Sequence, residues 1–183
     1  MVRLLILLPL FSAQVVRIAE VGCNCDPAQP ATLQARQCSL CREAERQPAD
    51  AEIFFLPDAN PRKPNRWLLL VRSHAYDGPR GLARMPQALR TKVWREAIRR
   101  ARELWGQNWG LAYNGDQVRT QCHFHIHIGR LLKGVETDRA LRIVNSASEI
   151  PVPKDGSGLW IHPHGNKLHV HLNEQICETV LMR

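Results

Sequence analysis

Residues 121–130 read QCHFHIHIGR, with His123, His125 and His127 alternating with Phe124, Ile126 and Ile128. Period-two alternation is the pattern of a half-buried strand, because side chains at i, i+2 and i+4 leave by one face. On that reading Phe124, Ile126 and Ile128 enter a core and the three imidazoles line the opposite face. Successive imidazoles in such a row stand roughly 6–7 Å apart, close enough to surround one small group. The plain alternative is a solvent-facing strand on which histidine happens to recur. Three ordered repeats of an uncommon residue argue against it, and a ligand, a metal or a phosphoryl group is preferred.

Reading outward, WGLAYNG (109–115) is a further strand and DQVRT (116–120) a turn leading into the histidines. Pro86 opens a long helix on which Leu89, Val93, Ala97, Ala101 and Leu104 recur at near-helical spacing, with Gly106 as its stop. The other face of that helix carries Arg90, Lys92, Arg95, Arg99 and Arg102. WLLLVRSH (67–74) is almost continuously apolar, the mark of a central strand, and AEIFFLPD (51–58) is a strand ending at the Pro- and Asn-rich loop ANPRKPNR (59–66). A helix is expected over about 30–46, opened by Asp26, Pro27 and Pro30 and ended by Pro48. Beyond the histidines come a segment around Leu141–Val144 and then GLWIHPHGNKLHVHL (158–172), two strands about a Gly165–Asn166 turn. Strands interrupted by two helices, with hairpin connections, predict an α+β fold with a mainly antiparallel sheet and a C-terminal β-hairpin.

The 183 residues suit one domain over 21–183, and 44% apolar content excludes wholesale disorder. A net charge of +8, from 25 basic and 17 acidic residues, favours an anionic partner such as a nucleotide, a nucleic acid or an anionic membrane surface. At the start, MVRLLILLPLFSAQ places Arg3 before an apolar run from Leu4 to Phe11, followed by Ser12 and Ala13. Residues 1–20 therefore read as a signal or short anchor segment and predict an exported, periplasmic or membrane-associated protein. The alternative is a buried amino-terminal strand in a cytoplasmic one.

Three histidines on a strand face admit a metal site or phosphoryl chemistry, in which one imidazole attacks phosphorus and its neighbours bind oxygens or move protons. Strand-built metal sites usually draw two histidines from the strand and one from elsewhere, so the third histidine leans towards phosphoryl transfer. HFHIHI followed by Gly129 resembles the signature of the histidine triad (HIT) superfamily of nucleotide hydrolases and transferases. The resemblance covers about residues 38–132. RTQCHFHIHI with the preceding LAYN is most similar to the bacterial CDP-diacylglycerol pyrophosphatase branch.

The resemblance implies a HIT-like fold and a hydrolase that cleaves a pyrophosphate bond in a nucleoside diphosphate derivative, CDP-diacylglycerol giving CMP and phosphatidate. His125 would be the nucleophile. His127 would contact the phosphoryl oxygens and hold His125 in the productive tautomer, and His123 would support the site. Arg119 would offset phosphate charge, Thr120 would stand near the leaving-group oxygen, and Asn114 would orient backbone and phosphate. The expected partner is a nucleotide or nucleotide-lipid rather than a nucleic acid, at an anionic membrane surface, with a homodimer as the family's common state. No cofactor is expected for catalysis. Two rival readings remain: a metal-dependent hydrolase with His123, His125 and His127 as ligands, and a zinc-stabilised nucleotide-binding module.

Cys38-Ser39-Leu40-Cys41 is a C-x-x-C motif, and relatives with such a motif bind a structural zinc. The matching set is Cys38, Cys41, His74 and His123, a closed four-ligand site. In an oxidising compartment the six cysteines would instead pair, Cys23 or Cys25 with Cys38 or Cys41, and Cys122 with Cys177. His162, His164, His169 and His171 crowd the C-terminal hairpin. A surface hairpin with outward histidines is the preferred reading, ahead of a pocket lining or a second metal site.

Overall fold

The histidine stretch lies in the interior of an antiparallel sheet, with an apolar strand on each side. The computed structural model describes residues 22–183, so the expected segment 1–20 lies outside the described residues. Its strands are β1 (Ile53–Pro57), β2 (Trp67–Val71), β3 (Trp109–Tyr113), β4 (His125–Arg130), β5 (Leu141–Val144), β6 (Gly158–His164) and β7 (Lys167–Glu174). The helices are α1 (Ser39–Glu45), α2 (Gly81–Arg84) and α3 (Gln87–Trp105). The strand order is β1-β2-β4-β3-β6-β7-β5, with every neighbouring pair antiparallel. The fold is α+β, with the expected C-terminal hairpin turning at Gly165, whose φ is +59°. Two helices were expected; α2, a single turn, is a third.

Alternation divides the sheet into two unlike faces. One face carries Leu69, Val71, Leu111, Phe124, Ile126, Ile128, Leu159 and Ile161, packed against Val93, Trp94, Ala97, Ile98 and Ala101 of α3. Leu104, expected on that buried stripe, sits at the last turn and is exposed. Gly106 ends the helix with φ +59° and an amide bonded to Arg102 O at 2.9 Å. The arginine face of α3 is partly neutralised by its own acids, Arg99 pairing with Glu96 and Glu103.

The opposite face holds the imidazoles of His125 and His127, flanked by two apolar patches. Leu68 and Leu70 of β2 lie under Leu40 and Ala44 of α1. On the other side, Ala112 and Trp160 lie under Cys177, Val180 and Leu181 of the returning C-terminus. The tail can settle there because β3 and β4 offer Gly110 and Gly129. A Cβ on Gly110 would meet Leu181 Cδ2 at 2.6 Å, and one on Gly129 would meet Leu181 Cβ at 3.2 Å.

The expected helix over 30–46 is broken. Residues Pro30–Gln34 and Arg36–Cys38 form short 3-10 turns, Ala35 between them is extended, and a regular helix begins only at Ser39. Two disulfides, Cys23–Cys122 and Cys25–Cys38, tie this segment to the start of the histidine stretch and to α1.

Candidate functional site

Strand β4 fixes the backbone of His125, and its imidazole folds back onto its own chain. Nδ1 lies 2.8 Å from the carbonyl oxygen of His123. A carbonyl only accepts, so Nδ1 carries the hydrogen and Nε2 is left with its lone pair. Burial, reinforced by His127 and Arg119, pushes the His125 imidazolium well below the ordinary histidine range. The ring is therefore neutral at pH 7 and nucleophilic at Nε2. The expectation that His127 fixes this tautomer is corrected here, since the carbonyl of His123 does so.

His127 packs edge-on against His125, with ring centroids 4.9 Å apart. Burial brings its pKa down to about 4 against the opposing pull of Glu178 and Asp58. Its Nε2 faces Asn114 Nδ2 at 3.4 Å, while Asn114 Oδ1 accepts from the Glu178 amide at 2.9 Å. Its Nδ1 has no hydrogen-bond partner among the described residues, and Glu178 Oε2 stands 3.7 Å away. Asn114 thus stands next to His127, which it ties to the C-terminal turn Cys177–Val180.

Glu178 is a residue that local sequence pattern did not disclose. Its carboxylate pairs with Arg66 Nη1 at 2.6 Å and with Lys63. Burial alone would raise the Glu178 carboxyl, but His127, Lys63 and Arg66 outweigh it and hold it near 2. Arg66, only 2% exposed, also donates to the carbonyls of Glu178, Leu181 and Met182. One guanidinium therefore fastens the tail beside the histidines.

Arg119 has a different place from the one expected. Its guanidinium is buried and donates to Gly78 O at 3.0 Å, Tyr113 Oη at 3.3 Å and His123 O at 3.3 Å. Those donors organise the loop behind the histidines, and the carbonyl of His123 is the same one that holds His125. Thr120 is exposed. Gln121 holds α1, its Oε1 accepting from Ser39 Oγ at 2.8 Å.

His123 parts company with the other two. It precedes the first residue of β4, is fully buried, and its Nε2 donates to Val71 O at 2.7 Å. Its ring meets that of His74 at 5.0 Å, and its Nδ1 is 2.7 Å from Asp77 Oδ1. With Nε2 donating to Val71 O, Nδ1 is the ring nitrogen left facing that carboxylate. His74 bridges Asp77 Oδ2 at 2.7 Å and Glu45 Oε1 at 2.9 Å, contacts that raise its pKa, those with Asp77 leading. Burial would raise Asp77, yet His123 and His74 bring it down to about 2.

Cys41 completes this group, with Sγ 3.6 Å from Asp77 Oδ2 and a thiol pushed up to about 12, chiefly by burial and then by Asp77. The donor atoms of Cys41, His74, Asp77 and His123 all lie within 4.8 Å of one another, a group positioned to hold a metal. The expected ligand Cys38 is corrected. Its sulfur is bonded to Cys25, and Asp77 stands in its stead. The pairing of Cys122 is corrected too, from Cys177 to Cys23, and Cys177 is a buried free thiol.

The surface reading of the hairpin histidines is overturned. His162, His169 and His171 are buried, and His164 alone of the four is exposed. The reason is register, because His162 pairs with His169 and His171 with Trp160 on the face covered by the loop before β5.

No protein-family model matches the chain, and no curated protein matches it.

Proposed function

We propose that this chain is a phosphohydrolase of histidine-triad-like fold that cleaves the pyrophosphate bond of a nucleoside diphosphate derivative. The observation that carries the reading is the His125 imidazole, with Nδ1–H committed to the His123 carbonyl and Nε2 left as a neutral nucleophile on a rigid strand. In the proposed reaction Nε2 attacks the α-phosphorus. The bond to the bridging oxygen breaks and its electron pair leaves with the distal phosphate group. Water then attacks the nucleotidyl-histidine, releasing a nucleoside monophosphate, a proton and the free imidazole. His127, packed against the reacting ring, and Asn114, 3.4 Å from His127, are the groups assigned here to the phosphoryl oxygens, and Arg119 acts through the His123 carbonyl rather than on substrate.

The resemblance of RTQCHFHIHI to the CDP-diacylglycerol pyrophosphatases supports CDP-diacylglycerol as substrate, with CMP and phosphatidate as products. Two disulfides support an oxidising, exported compartment, and among the described residues no helix is long and apolar enough to cross a membrane. Cys41, His74, Asp77 and His123 offer the mixed sulfur, nitrogen and oxygen donors that suit a structural zinc. Such an ion would fasten α1 and the His74–Asp77 turn to the strand while leaving His125 to react.

The rival reading, a catalytic metal on all three strand histidines, fits less well. His123 is turned into the group with Cys41, and its remaining nitrogen is held by Val71 O. The test is release of CMP or AMP from a panel of pyrophosphates. His125→Asn should abolish release, and chelator-treated, folded protein should retain it. Turnover by His125→Asn would contradict the proposal.

A further inference from the structure

We propose that His162, His169, His171 and Glu136 form a second metal site, separate from the Cys41 group and selective for a first-row transition ion. The donor nitrogens of the three histidines lie within 4.8 Å of one another on the imidazole-bearing face of β6 and β7. His162 Nε2 and His171 Nε2 are 3.2 Å apart. Two nitrogens bound to one zinc at about 2.0–2.1 Å in tetrahedral geometry stand roughly 3.3–3.4 Å apart. An N–H···N hydrogen bond accounts for that one pair equally well, so the site rests on the convergence of all three rings, with Glu136 reaching it from the side of His164 and His169. Glu136 Oε1 lies 2.7 Å from His169 Nδ1, 3.5 Å from His164 Nδ1 and 3.7 Å from His162 Nε2.

The surroundings prepare the rings as ligands. His162 Nδ1 donates to Pro163 O at 3.1 Å, which leaves its Nε2 with a lone pair, the outer contact typical of metal-bound histidine. His171 is stacked on Trp160 with centroids 3.6 Å apart and planes within 5°. Its other nitrogen, Nδ1, is buried with no partner among the described residues.

Three imidazoles and one carboxylate suit zinc, copper, nickel or iron and discriminate against magnesium and calcium, which require oxygen donors. The hairpin cluster cannot share an ion with the reacting pair. Across the sheet His127 pairs with Ala112, Ala112 with Trp160 and Trp160 with His171, three strand spacings or about 14 Å. Bound there, an ion would pin Glu136, in the connection between β4 and β5, onto the C-terminal hairpin.

The full-length chain carrying Cys41→Ser isolates the site in a cobalt(II) titration. It should take up one equivalent with visible ligand-field bands and without a thiolate charge-transfer band. Adding His162→Asn and His169→Asn should abolish that equivalent, with far-UV circular dichroism confirming the fold. Should the double variant not fold, Glu136→Gln on the open rim should weaken binding tenfold or more. Unchanged stoichiometry in the folded histidine variants, or unchanged affinity in Glu136→Gln, would overturn the site. Loss on His164→Asn with retention in His162→Asn would overturn the ligand set. Because the readout is metal uptake, failure here leaves the proposed phosphohydrolase reading standing.

Discussion

At the scale of single residues, the account rests on which hydrogen each imidazole carries. The His123 carbonyl holds the Nδ1 hydrogen of His125, and burial keeps that ring neutral far into acid. A group whose folded pKa lies below its ordinary value needs a lower pH to become protonated. The acid limb of kcat/KM should therefore fall well below pH 6.5, measured by initial rates on a nucleotidyl pyrophosphate. An acid limb at 6.5 or above would mean that another group carries the reaction. His123 and Asp77 make a second residue-scale prediction. Asp77→Asn removes an anionic donor from the group with Cys41, so zinc affinity should drop at least tenfold by competition with a chromophoric chelator. Cys38→Ser should leave that affinity within a few-fold, because Cys38 is occupied by Cys25.

At the scale of elements, the short-period patterns were readable and the long-range partners were not. HFHIHI was readable as a strand with an apolar face, WLLLV as an interior strand, and GLWIHPHGNKLHVHL as a hairpin about the Gly165–Asn166 turn. The continuous helix expected over 30–46 is broken because local pattern does not show the extended Ala35, even though a Cys25–Cys38 bond was among the pairings the cysteines allowed. Asp77 was within sight of the sequence, three residues after His74, but a lone aspartate in a turn announces nothing until His123 is packed against it. Glu178 had no local signal, being delivered to His127 by the returning tail. That tail gives two predictions. Arg66→Ala leaves Glu178 and three carbonyls short of a buried donor and should cost roughly 3–5 kcal/mol in urea unfolding, the scale of a broken buried pair. The Glu178 carboxyl is held near 2 in the folded state, below its ordinary value of 4.5. Its stabilisation is thus complete above about pH 4.5 and is lost as pH falls towards 2, a loss that a Glu178→Gln variant should lack.

At the scale of the molecule, one sheet separates two kinds of interior. The α3 side is an apolar core, and the other side collects nearly every buried imidazole, under α1, the disulfide-tied amino-terminal segment and the tail. Cys23–Cys122 closes a span of 99 residues, which by chain entropy corresponds to roughly 4–5 kcal/mol. Reduction should therefore lower Tm measurably by calorimetry, and Cys23→Ser should reproduce most of the effect. The sheet also orders the sites along it. The Cys41 group lies at one end of the histidine stretch, the His125–His127 pair in the middle and the hairpin cluster beyond Trp160.

The most direct measurement is a rapid quench of the chain with CDP-diacylglycerol labelled at the cytidylyl phosphorus, followed by peptide mapping under alkaline conditions that preserve phosphoramidates. The account predicts an acid-labile CMP adduct on the peptide containing His125, absent from His125→Asn. A label found on another residue, or steady turnover with no adduct at any quench time in the presence of excess substrate, would contradict it.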